Sequence, residues 1–209
     1  VSRKPPVAGR QSEDLVTVSV YSTRSDAEIA RARLAADGID ALVMADDEGG
    51  LNPGFFNRYG VRVVVRADRA DTARAALGVA SLAVPGEAVE AMIQHARFNT
   101  PEEACGLFAV GDDGSVTMVY CLTNLDHSAV SYTIDPEEHF QAWSHARRHG
   151  WEIGGVFHSH PSSPPVPSDS DLVGLDPDWV SIILGVGAEE VRAFRVAGGT
   201  PTEVVLERR

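Results

Sequence analysis

The sequence predicts an α/β (α+β) protein in two parts, and three observations carry that prediction. Alternating or continuous apolar strings recur between stretches whose apolar residues follow a helical period. The glycine-bounded stretch at residues 78–86 is the expected boundary between two such sets. Charge divides the same way: residues 1–80 hold eleven Lys plus Arg against eleven Asp plus Glu, whereas residues 81–209 hold seven against nineteen, so the net charge of −12 belongs to the second part. With 209 residues, 44% of them hydrophobic, the chain is long enough for two modest cores.

Residues 1–13 are polar, Pro-containing and unpatterned, and a flexible tail is expected there. Leu15 to Tyr21 alternates apolar and polar residues and reads as a strand. Ser25 and Asp26 open a helix with Ala27, Ala30 and Leu34 on one face, and Gly38 stops it. Residues 40–45 and 61–65 read as two further strands and residues 69–77 as a second helix, giving β-α-β-β-α for residues 14–80. The stretch 46–57 is rich in turn formers and carries Phe55 and Phe56, expected to pack back on the sheet, with a docking role as the alternative. Nothing in this part forms a catalytic constellation, so recognition, regulation or homodimer formation is its expected role.

In the second part, residues 81–209, a helix is expected at 87–99 and another at 136–149. Strands are expected near 105–110, 115–121, 129–134, 153–160, 180–186, 191–196 and 203–207. No apolar stretch is long enough to span a membrane and residues 1–6 lack a signal peptide's hydrophobic region, so a cytoplasmic protein is expected. Cys105 and Cys121 are the only cysteines and form no Cys-x-x-Cys pair, which excludes a zinc ribbon and a disulfide framework. The acidic balance argues against nucleic acid and fits either a substrate with a basic patch or solubility alone. The single lysine, Lys4, lies in the expected tail, as an Arg-for-Lys bias would give.

His158-Ser159-His160-Pro161 is the most informative string. Residues 153–157 before it are a short apolar run, and side chains in a strand alternate, so His158 and His160 project from one face. Four prolines between Pro161 and Pro167 exclude helix and central strand and imply a stiff return loop. Ser168 is then expected to open a helix with Asp171 in its first turn. Two imidazoles and one carboxylate make a three-ligand set that leaves a coordination position open, as catalytic zinc sites do. The zinc deaminases require His-x-Glu and Pro-Cys-x-x-Cys strings, and neither is present.

The string His158-Ser159-His160-Pro161, followed by Ser168 and Asp171, resembles the His-x-His-x(10)-Asp signature of the JAMM (MPN-plus) metalloproteases. Glu103 in Glu103-Ala104-Cys105-Gly106 matches that family's upstream Glu-x-Cys-Gly, and residues 132–136 resemble its strand-to-helix junction. The resemblance spans about residues 87–209. It implies a deaminase-like JAMM domain with a mixed sheet and flanking helices, and a zinc peptidase or isopeptidase acting near the C-terminus of a ubiquitin-like or sulfur-carrier protein. A catalytically silent scaffold of the same fold, or a hydrolase of a small amide or cysteine adduct, are the alternatives. Residues 15–80 are similar to small ferredoxin-like signal-transducing domains through Leu34 to Ile39.

By the same resemblance, His158, His160 and Asp171 hold Zn2+, Glu103 is the general base and Ser168 donates to the oxyanion. Glu103 also reads as a solvated helix-end carboxylate, and Ser168 as an N-cap. If residues 103–108 are extended, Glu103 and Cys105 face the same side. The thiol is then either a fourth ligand that shuts the site or a buried, inert cysteine.

Overall fold

The computed structural model describes residues 15–21, 23–45, 61–173, 176–197 and 199–209. The expected tail with Lys4 and the 46–57 stretch with Phe55 and Phe56 lie outside them. The chain forms two compact units divided between Val79 and Ala80.

In the first unit, β1 (Leu15–Tyr21), α1 (Arg24–Ala36), β2 (Ala41–Ala45), β3 (Val61–Arg66) and α2 (Ala70–Leu77) follow the expected β-α-β-β-α order. β3 lies between β1 and β2 and is antiparallel to both. Thr23 caps α1 by accepting from Asp26 N at 3.2 Å, two residues ahead of the expected start. At its other end Gly38 adopts φ 71°, and the Ile39 N–H bonds Leu34 O at 2.9 Å, a Schellman stop that needs the left-handed conformation glycine supplies. Ala27, Ala30 and Leu34 of α1 pack with Ala73 of α2 on Val18, Val63 and Val65.

The second unit carries β4 (Ser81–Val84), α3 (Gly86–Asn99), β5 (Cys105–Val110), β6 (Val116–Leu122), α4 (Pro136–Arg148), β7 (Glu152–His160), β8 (Val180–Gly185), β9 (Glu190–Ala197) and β10 (Thr200–Arg208). They build one mixed sheet in the order β4-β10-β9-β8-β7-β5-β6, with β4/β10 and β7/β8 parallel and the other pairs antiparallel. β10 changes partner midway: residues 200–204 pair with β9, and 205–208 with β4. The sheet curls until β4 approaches β6. Among the described residues no helix is long and apolar enough to cross a membrane.

Alternation assigns the two faces. Phe108 and Phe157 point to the α3 side, where they meet Val84, Met92 and Ile182, and Leu107 and Val156 point to the α4 side with Ala142. Full burial of a Phe is worth about 2–3 kcal/mol, so the phenylalanine pair anchors the larger core. Gly106 makes that packing possible, since a Cβ there would strike the Tyr120 carbonyl and the Phe157 ring. On the α4 side, Asp135 caps α4 by accepting from the Glu137 and Glu138 N–H groups.

Three expectations are corrected. Residues 81–84, inside the expected boundary, form β4, with Leu82 and Val84 buried; its partner lies at the far end of the sequence, so no local pattern announces it. Residues 129–134 are not a strand. Their only strand-like feature is an isolated bridge, Asn124 to Ile134, because the Asn124 side chain takes the bonds a ladder would use. Ser168 opens no helix. Residues 168–171 form a turn, in which the Ser168 N–H and hydroxyl both donate to the Asp171 carboxylate, reversing the direction of a cap bond.

Candidate active site

The site lies on the α4 face of the second unit, at the C-terminal end of β7. β7 and β8 are parallel neighbours, so the chain must cross over between them, and the described residues of that crossover, 161–173 and 176–179, form no helix or strand. Open sheets bind ligands outside the carboxyl ends of such strands.

His158 and His160 project from one face of β7, as their spacing requires. Their Nε2 atoms lie 3.1 Å apart, and the Asp171 carboxylate oxygens lie 3.4 Å from His158 Nε2 and 3.6 Å from His160 Nε2. One ligand atom from each residue falls within 4.8 Å of the others, and among the described residues this is the one such group. The crossover fixes its own ligands. The His160 Nδ1–H donates to Pro164 O at 2.8 Å, which leaves the Nε2 lone pair turned inward. Pro165 packs on Gly185 at the end of β8, and Asp171 is held by Ser168 at 2.7 Å (N–H) and 2.6 Å (Oγ). Two imidazoles and a carboxylate converging on one point fit a divalent cation.

His158 is fully buried, and burial drives its pKa down despite the neighbouring carboxylate, keeping the ring neutral. Burial presses His160 the same way. Its bonds to Asp171 and Pro164, together with the Glu103 charge, outweigh that and leave its pKa raised. For Asp171, burial pushes upward, but the imidazole bonds and Ser168 hold it well below the usual carboxylate range.

Glu103 sits just before β5 and is only 6% exposed. Burial lifts its pKa to about 7, with His160 lowering and Asp171 raising it, so a solvated helix-end carboxylate is excluded. Its peptide is held on both sides. The Glu103 N–H donates to Ser128 O at 2.7 Å, Asn124 Nδ2 donates to Glu103 O at 3.0 Å, and the Ala104 N–H donates to Ser159 Oγ at 2.9 Å. Asn124 also donates to Ser131 O and accepts from the Asp126 and Thr133 N–H groups, so this buried amide ties the base to both arms of the 123–134 loop.

Cys105 follows in β5, directly opposite His158. Its thiol turns to Leu122 O at 3.9 Å and stays out of the ligand group; burial pushes its pKa to about 12. It is the inert cysteine, not a fourth ligand. The sequence reading missed Asn124, Tyr132, Pro164 and the hydroxyl of Ser159, which act through backbone carbonyls and ring contacts that no motif spacing encodes.

The family described as prokaryotic homologs of the JAB domain matches residues 85–197, more than half of the chain, and the chain belongs to that family. The resemblance drawn from the two motifs is thereby borne out. The chain is 40% identical over 73 residues to a desampylase of Pyrococcus furiosus, 35% of this chain and about half (51%) of that relative's length. It is 31% identical over 129 residues to the CysO-cysteine peptidase of Mycobacterium tuberculosis, covering 58% of this chain and 87% of the relative. The solution structure of protein DSY2949 from Desulfitobacterium hafniense superposes with a TM-score of 0.55 at 32% identity, covering 61% of this chain and 94% of that one. It supports the mixed α+β architecture.

Proposed function

We propose that the chain is a zinc-dependent metallopeptidase that hydrolyses an amide bond at or near the C-terminus of a ubiquitin-like or sulfur-carrier protein. The observation that carries this reading is the convergence of His158, His160 and Asp171 beside a buried Glu103 whose pKa is tuned to about 7. The names of the desampylase and the CysO-cysteine peptidase supply the substrate class.

When bound, zinc would supply a Lewis acid that polarises the scissile carbonyl and acidifies the attacking water. The two histidines and Asp171 would hold it. Glu103 takes a proton from the water through its carboxylate and returns it to the departing amine, a task suited to a group that titrates near neutrality. Ser168 Oγ donates to the developing oxyanion by turning away from Asp171, while its N–H keeps that carboxylate in place. A silent scaffold has no use for a buried carboxylate with a raised pKa, which favours the enzyme. We assign the first unit a recognition or regulatory role.

Purified protein is to be assayed for metal content and incubated with a ubiquitin-like protein bearing a C-terminal extension, beside Asp171→Asn and Ser168→Ala variants. Wild type is expected to contain zinc and cleave. Asp171→Asn is expected to lose both properties, and Ser168→Ala to lose about a hundredfold in rate. Metal-free wild type, or an Asp171→Asn protein that cleaves normally, refutes the reading.

A further inference from the structure

The two ring ligands are oriented by different means. His160 is locked by its Nδ1 bond to Pro164 O. His158 has no such lock: its Nδ1 is buried and finds no hydrogen-bond partner among the described residues. A metal-ligating histidine almost always donates its second nitrogen to a carboxylate, a carbonyl or water, which fixes the ring. In place of that bond, Tyr132 lies against His158, with ring centroids 4.8 Å apart and planes inclined at 25°. Among the described residues the ring's polar contacts are at Nε2, 3.1 Å from His160 Nε2 and 3.4 Å from Asp171 Oδ1, and leave its far side unheld by a hydrogen bond.

We propose that Tyr132 is a positioning residue for the metal centre, its ring face holding His158 in the rotation that points Nε2 at the ion. This rests on the reading that His158, His160 and Asp171 bind a divalent metal. The ring is the active part. The loop that carries Tyr132 is the one Asn124 ties to Glu103, so a single segment serves both the base and a metal ligand.

The test is metal binding by the full chain, without substrate. Wild type, Tyr132→Phe, Tyr132→Leu and Tyr132→Ala are stripped with a chelator and titrated with Co2+ against a chromophoric competitor, and the visible spectrum of each cobalt form is recorded. Tyr132→Phe is expected to bind within about threefold of wild type with the same spectrum. Tyr132→Leu and Tyr132→Ala are expected to bind about 10–100-fold more weakly, with an altered ligand-field band, the loss typical of removing an outer support. Tyr132→Leu fills the space without an aromatic face and decides the matter if Tyr132→Ala does not fold. Wild-type affinity and spectrum in Tyr132→Leu, or an equal loss in Tyr132→Phe, overturns the proposal. Failure of wild type itself to bind Co2+ refutes the metal site, and this proposal with it.

Discussion

At the scale of single residues, Glu103 shows function opposed to stability. Its pKa rises from 4.5 to about 7 on folding, so the fold favours the protonated form. That contribution is complete below pH 4.5 and is lost as pH climbs through 7, above which the protein holds an ionised carboxylate in a buried place. Glu103→Gln removes the conflict. The metal-free variant is expected to be about 1–3 kcal/mol more stable than wild type at pH 8 and no more stable at pH 4, read by urea unfolding. The same variant, loaded with metal, is expected to lose about 10²–10⁴ in turnover. A Glu103→Gln protein less stable at pH 8 contradicts the assignment of burial as the cause. The convergence of His158, His160 and Asp171 was legible because three side chains within fourteen positions, two of them on one strand face, leave little freedom. Asn124 and Ser159 were not, since each matters for the backbone group it bonds, and their sequence neighbours do not reveal it.

At the scale of elements, the strands that matter were readable from apolar runs, and β8 is buried along its whole length as a central parallel strand should be. Position 106 tests how tightly β5 is packed. Gly106→Ala places a methyl against the Tyr120 carbonyl and the Phe157 ring, and neither a backbone group nor a fully buried ring can retreat. A loss of about 1–3 kcal/mol is expected in denaturant unfolding, with metal binding weakened because Cys105 and His158 pair across the same junction. The elements that were misread have one cause in common. Around 129–134 and at 168–171, side-chain amide, hydroxyl and carboxylate groups satisfy the backbone, so periodicity gave way to local polar bonding.

At the scale of the whole molecule, the strand that opens the second unit has a measurable consequence. A fragment of residues 80–209 retains β4, whereas 87–209 loses it together with buried Leu82 and Val84, each worth about 1.5–3 kcal/mol. The longer fragment is expected to melt cooperatively and to bind metal. The shorter one is expected to melt several degrees lower, read by circular dichroism, because residues 205–208 of β10 are left with an open edge. The two-part organisation was visible in charge and composition, but β4 was not, because it pairs with residues more than a hundred positions away. The architecture also divides the ligands mechanically. β7 is bonded to β5 on one side and β8 on the other, so both histidines belong to the centre of the sheet, while Asp171 rides on a turn held by Ser168. Loosening the sheet means unfolding the unit; loosening the turn breaks the three hydrogen bonds between Ser168 and Asp171. On the proposed metal-binding reading, the turn that carries Asp171 governs release of the ion, and a chelator is expected to empty the centre while the sheet around it stays folded.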